Sequence, residues 1–392
     1  MTKRYGSMTM FYGLLRSSPF RRRRSAIPGV QETVFCVLLV LRSSGAELDI
    51  VVNNPPATGT VHALLFNSPN TFLNLRDPVK STTLQFGSTM KGRIPDLPPG
   101  DYALLVYEDV NENGRRDKNF IGIPREPLGF SNHYWPKGPP TFSRAMIHLD
   151  EGETRTCDVD LKSSFGKAGL IGVGVGVIAQ SSPYRGSDHA AVLPIPAITY
   201  VGDRIQILGP GVRYGLLNVG DVRLAATAGY RIGAYSEGDS PILEGMGNRE
   251  GTAMGGLALR ARLPANIHFS CGYENDLLGR FNGGIGRFGV ERGFQSGLMT
   301  LSPYVGVNWI SAGLADYEYG VTASQARAGR PAYEPGSAVS FETGLSIFME
   351  LSGSWRLILS GRVEFLPPEI TGSPIVGQDQ VYGGFGAINR LF

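Results

Sequence analysis

Between Asp109 and Asp117 the chain reads D-V-N-E-N-G-R-R-D, a run of oxygen-bearing side chains at alternate positions. Asp109, Asn111 and Asn113 occupy places 1, 3 and 5 of a calcium-loop spacing, Gly114 place 6, the backbone carbonyl of Arg115 place 7 and Asp117 place 9. Place 12, which in such a loop is a bidentate glutamate, is Phe120. Two carboxylates beside Arg115 and Arg116 predict weak calcium binding, in roughly the millimolar range of extracellular modules. Glu108 or Glu126 completes the donor set only if the chain folds back. The competing reading is an Asx-rich hairpin loop held by its own side-chain-to-backbone hydrogen bonds.

Three other groupings have the residue types for chemistry. His268 and Ser270 stand two apart, which on a strand puts a base and a hydroxyl on one face. The neighbours Ile267, Phe269, Cys271 and Tyr273 make the apolar face, so His268 and Ser270 point to the opposite, polar one. A lone hydrogen-bonding histidine is the expected outcome. Asp188-His189 has no nucleophile nearby and is read as solvated. Gly172, Gly174 and Gly176 lack the G-x-G-x-x-G spacing and the following helix that a dinucleotide loop requires, so they are read as a close-packed strand face.

The elements that carry these residues are strands. From about Gly166 the polarity period is two. In "DVRLAATAGYRIGAY", Val222, Leu224, Ala226, Ala228, Tyr230 and Ile232 alternate with Asp221, Arg223, Thr227 and Arg231. "GGLALRARL" sets Leu257, Leu259, Ala261 and Leu263 against Arg260 and Arg262. "SFETGLSIFMEL" and "WRLILSGRVEF" repeat the pattern, with Glu342, Glu350, Arg356 and Arg362 on the polar face. About twelve segments of roughly ten residues between turn signals are the pattern of a transmembrane antiparallel β-barrel. Mixed charge and small residues on the inner face predict a side-chain network in place of a wide aqueous pore.

Composition agrees. Glycine, at 53 of 392 residues, is roughly twice its usual share. Eight of the 37 Lys and Arg but one of the 34 Asp and Glu lie in residues 1–46, so the remainder carries a net charge of −4. No nucleic-acid partner is expected of such a body. Arg21 to Arg24, the apolar run Val34 to Leu41 and the small residues before Glu47 have the order of a secretion signal. Residues 1–46 are read as that signal, cleaved after Ala46, with Met8 or Met10 as alternative starts and a basic tail as the alternative reading. Cys157 and Cys271 imply no disulfide framework.

Residues 166–392 resemble the MipA/OmpV family of outer-membrane proteins. The likeness is carried by "GVGVGVIAQSSPYRGSD", "LPIPAITYVGDR", "RPAYEPGSA" and "GSPIV". It implies a small barrel in the cell outer membrane, in contact with its lipid. It also implies a scaffold that links a murein lytic transglycosylase to a murein synthase. The chain departs from barrel habit at its third-last residue, Arg390.

Residues 47–163 show about seven short strands, which predict a β-sandwich of immunoglobulin or transthyretin type. This part resembles a small secreted domain family sharing D-x-N-x-N-G-x-x-D and G-I-P-x-E-x-x-G-F-S-N, here Gly122-Ile123-Pro124, Glu126 and Gly129 to Asn132. No established activity comes with that likeness. The sequence thus predicts an all-β, non-enzymatic outer-membrane protein: a periplasmic sandwich ahead of a barrel of about twelve strands. A small transport or adhesion barrel is the first alternative. A barrel phospholipase-type enzyme, disfavoured by the inward His268, is the second.

Overall fold

The computed structural model describes residues 45–85, 90–164, 169–187, 190–351 and 354–392. The signal reading for residues 1–46, apart from its last two positions, and the Asp188-His189 pair lie outside these residues.

Among the described residues the sandwich has eight strands: β1 (Ala46–Val52), β2 (Thr60–Phe66), β3 (Lys80–Thr83), β4 (Met90–Leu97), β5 (Gly100–Asp109), β6 (Leu128–Phe130), β7 (Met146–Leu149) and β8 (Thr154–Val159). One layer runs β4-β1-β8, with β8 parallel to β1; the other runs β3-β2-β5-β6, with β7 also on β5. β1 is buried at every second residue, so Leu48 and Ile50 enter the core between the layers with Val61, Leu65, Leu104, Leu149 and Val159. Burying each such side chain contributes about 1.5–3 kcal/mol.

β5 is apolar and buried on both faces, because a second cluster covers its far side. There Phe72 of α1 (Pro69–Asn74) meets Phe66, Phe130 and Phe142 edge-on, at 5.6, 5.7 and 5.8 Å between ring centres. Phe142 begins α2 (Phe142–Ala145). The three-residue β6 escapes sequence reading, being shorter than any alternation can reveal.

The barrel is built from β9 (Leu170–Gln180), β10 (Ala191–Pro196), β11 (Thr199–Val201), β12 (Ile205–Leu208), β13 (Gly211–Val219), β14 (Val222–Arg231) and β15 (Thr252–Leu263). It continues with β16 (Ile267–Asp276), β17 (Gly284–Arg292), β18 (Phe294–Ser296), β19 (Met299–Ile310), β20 (Ala338–Glu350), β21 (Trp355–Phe365) and β22 (Gln380–Leu391). β10 and β11 lie in line along β9, and β17 and β18 along β19, so fourteen segments make a twelve-strand antiparallel sheet. β22 closes it on β9, from Gly383 opposite Gln180 to Leu391 opposite Gly172. Closure joins the first and last strands among the described residues, as a lipid environment demands of the backbone, and only the short β10 and β18 pair on one side alone.

The two faces sort as the alternation predicts. Val175, Val305, Phe341 and Tyr382 are 67, 59, 59 and 56% exposed, an outer surface that suits lipid and not water. Inside, Arg260 pairs with Glu291 at 2.5 Å, Arg287 with Glu274 at 2.6 Å and Arg362 with Glu342 at 3.6 Å. Asn308 lies within 3.4 Å of Glu342 and 3.3 Å of Glu364, and the latter also accepts from the Ser340 hydroxyl at 2.5 Å. Gly174 faces this interior against β22, where a side chain would strike the Ile388 carbonyl. The glycine run is thus a close approach of strands.

One end of the barrel has short connections, such as Gly220-Asp221 and Gly297-Leu298, whose glycines adopt φ of +59°. β9 begins and β22 ends at this same end, as an even strand count requires. The other end has long connections that fold into a core of their own. α3 (Ala312–Tyr319) supplies Leu314, Ala315 and Tyr319, and α4 (Pro368–Thr371) supplies Ile370. They pack with Tyr184, Leu243, Met246 and Phe281, and Glu318 of α3 holds Arg231 of β14 at 2.7 Å.

Candidate functional site

The sandwich is seated on the short-turn end of the barrel, and that junction brings together polar and charged groups from distant parts of the chain. Glu350, at the end of β20, is 4% exposed. Its two oxygens accept from the Tyr134 hydroxyl and the Lys137 backbone N–H, each at 2.7 Å. Burial, with Glu350 adding to it, holds the Tyr134 phenol well above the ordinary tyrosine range. Beside it the Gln295 side chain accepts from the Phe142 N–H at 2.8 Å and donates to the Pro140 carbonyl at 2.5 Å. Gly138 lies so close over the Phe348 ring that a side chain there would collide with it.

Across the mouth, Asn119 donates to the Gly202 carbonyl at 3.0 Å and Asn218 to the Lys118 carbonyl at 3.1 Å. Arg125 meets Asp203 at 3.1 Å, and Arg76 is ion-paired to Asp221. Buried hydrogen bonds to a charged group contribute about 1.5–3 kcal/mol each, whereas exposed pairs such as Arg125–Asp203 contribute little. Glu350 is therefore the main anchor.

The 109–117 loop lies close to this junction. Asp109 is buried and accepts from the N–H groups of Asn113 and Gly114 at 3.2 and 2.7 Å. Asn111 and Asn113 both donate their side-chain amides to the Asp117 carboxylate, at 2.9 and 3.2 Å. Asn113 Oδ1 accepts from the Arg115 N–H at 2.8 Å. The chain also folds back, so that Glu126 accepts from the Val110 and Asp117 N–H groups at 3.3 and 3.0 Å. Burial pushes the Glu126 carboxyl up. Each loop oxygen is thus satisfied within the loop. Among the described residues no group of three or more His, Cys, Asp or Glu is arranged to hold a metal. The hard oxygens of Asp109, Asn111, Asn113 and Asp117 are the class of donor calcium takes, at the price of turning the two amides away from Asp117.

His268 stands opposite Arg262 and Glu291 in the sheet, on the inner face, and contacts Asn266 Oδ1 at 3.1 Å. Ser270 donates to the Gly289 carbonyl at 3.5 Å. No hydrogen bond joins the two side chains, so the pair is not assembled as base and nucleophile.

The junction residues Tyr134, Glu350, Arg116 and Lys118 escape sequence reading, since their partners lie far off in the chain; Tyr134 and Glu350 are 216 residues apart. The one usable signal is the G-I-P motif, whose Gly122 backs directly on Arg223 of the barrel.

Comparisons with known proteins agree with this architecture. Residues 50–157 match the family model described as an uncharacterized protein conserved in bacteria (DUF2141). The MltA-interacting protein of Escherichia coli is 30% identical over 210 residues, covering 53% of this chain and 83% of that one. The putative outer membrane protein YiaT of the same organism is 26% identical over 219 residues, covering 55% and 88%. Among solved structures, the loop-deleted outer membrane protein OmpT of Vibrio cholerae is similar with a TM-score of 0.25 at 9% identity, over 88% of this chain and 97% of that one, too distant to carry an argument. The match to the family model described as MltA-interacting protein MipA covers residues 173–392, more than half of the chain and its whole closed barrel but for the first residues of β9, and the chain belongs to that family.

Proposed function

We propose that this protein is a non-enzymatic scaffold of the outer membrane, whose barrel anchors the sandwich at the periplasmic mouth and offers it to enzymes of the cell wall. The observation that carries the reading is closure at both ends. The sandwich sits on the short-turn end through Glu350, Gln295 and Asn119, and the α3 and α4 core fills the long-loop end. A lumen whose wall carries Arg–Glu pairs, between folded chain at both ends, is poorly suited to solute passage. It is well suited to hold a domain in a fixed pose.

Short turns face the periplasm and long loops the outside in barrels of this class, which supports the periplasmic placement of the sandwich. The relative's name, MltA-interacting protein, supports a murein lytic transglycosylase as partner, and family likeness adds a murein synthase. The unassembled His268 and Ser270 speak against a phospholipase-type activity. The test is cross-linking in intact cells followed by recovery of the tagged protein. Murein hydrolases and synthases among the cross-linked partners support the scaffold; their consistent absence, with periplasmic solute-binding proteins in their place, favours a transport role.

A further inference from the structure

Between the sandwich and the barrel wall lies a cavity of about 410 Å³, within the range that holds small-molecule ligands. Its lining brings in five cations, Arg116, Lys118 and Lys137 from the sandwich and Arg262 and Arg356 from the barrel, and no Asp or Glu. Among the described residues none of the five forms an ion pair. Arg116 Nε and Arg262 Nε are buried with no hydrogen-bond partner at all. Arg356 has only neutral partners, Asn389 at 2.5 Å and Thr199 at 2.9 Å. The acids whose charge reaches these cations stand outside the lining and have other partners: Asp221 is ion-paired to Arg76, Glu126 accepts from the Val110 and Asp117 N–H groups, and Glu350 accepts from Tyr134 and the Lys137 N–H.

Elsewhere on the inner face Arg260, Arg287 and Arg362 each have a glutamate, whereas Arg213 and Arg223 share with the cavity cations the lack of an ion pair among the described residues. Half-buried cations gathered with no ion-pair partner are costly, and an anion supplied from outside reduces that cost. Apart from Asn74, Ser164, Thr199 and Gln206 the remaining wall is apolar or glycine, with Trp135, Ile121, Phe348 and Ile358 facing the same space. A free inorganic anion would leave that wall in contact with water.

We propose that the cavity binds an anionic amphiphile, an acidic headgroup held by Arg116, Lys118, Arg262 and Arg356 with its hydrocarbon against Trp135, Ile121, Phe348 and Ile358. Because two thirds of the lining comes from residues 73–164 and one third from the barrel strands, the ligand would bridge the two domains. The motif residues Gly122, Ile123 and Pro124 line the same cavity, which gives that segment a role in shaping it. The proposal is independent of the scaffold reading.

The test titrates the full chain, in non-ionic micelles, with dodecanoate or dodecyl phosphate and counts 1:1 adducts by native mass spectrometry. A saturable adduct with either supports the site: dodecanoate alone points to a fatty acid, dodecyl phosphate alone to a lipid phosphate. Dodecyltrimethylammonium should give none. Arg116→Gln with Arg262→Gln should weaken the adduct by about tenfold or more, as loss of charge-assisted bonds does. Heat-modifiable gel mobility checks that the barrel is folded, and Lys118→Gln, titrated at about pH 6 where Lys118 carries its proton, reads the same loss should the double variant not fold. No saturable adduct with either anion, equal binding of the cation, affinity unchanged by the substitutions, or inorganic phosphate binding as tightly as dodecyl phosphate would each overturn the proposal.

Discussion

At the scale of single residues, Asp117 and Lys118 are neighbours with opposite environments. Asp117 is the loop's acceptor for two asparagine amides, and its carboxylate is the natural second charge for a cation beside Asp109. If calcium displaces those amides, about 10 mM of it over a roughly 1 mM site stabilises the loop by about 1.4 kcal/mol. Trypsin cleavage at the exposed Arg115 should then slow by about tenfold, and Asp117→Asn, which keeps the shape and removes the charge, should cancel the protection. Equal cleavage with calcium and with chelator leaves the self-bonded hairpin as the whole account. Lys118 is held down to about 7, first by burial and then by Arg116, Arg262, Arg76 and Arg223; Asp221, the nearby acid, is paired with Arg76. An ammonium whose ordinary pKa is 10.5 thus binds its proton in the unfolded chain but not in the folded one between about pH 7 and 10.5. Stability should therefore rise with pH across that window. Lys118→Met should flatten the rise, read from the temperature of the gel-mobility shift at stepped pH; an unchanged slope would place the titration elsewhere.

At the scale of elements, the barrel strands were legible because lipid outside and a charged lumen inside impose a period of two over ten or more residues. Leu257 and Arg260 of β15 show the division. Leu257 is 51% exposed on the outer face, while Arg260 reaches Glu291 over the intervening strand β16 on the inner face. Leu257→Arg should cost about 2–4 kcal/mol near the bilayer midplane and cut the yield of folded, heat-modifiable protein. Arg260→Leu leaves a water-accessible glutamate and should cost less. Equal yields would contradict the face assignment. The sandwich strands were legible for the same reason, but β6 was too short to show a period, and the helices α1 and α2 are each a turn or so of chain set by tertiary packing.

At the scale of the whole molecule, the sequence predicts a periplasmic sandwich ahead of a barrel but not the contacts between them. The seat of one on the other depends on pairs such as Tyr134 with Glu350 and Arg76 with Asp221, 216 and 145 residues apart, and no local pattern announces contacts at that separation. The core at the long-loop end was equally silent, since Leu243, Met246 and Leu314 sit in connections with no regular alternation. What the alternation did reveal, a mixed-charge lumen, becomes decisive only once both covers are in place. The whole then reads as a closed anchor. Planar-bilayer recording on the purified full chain tests this most directly: the account predicts no steady conductance above baseline across neutral pH, and large, steady, porin-like steps from a chain with its sandwich intact would contradict it.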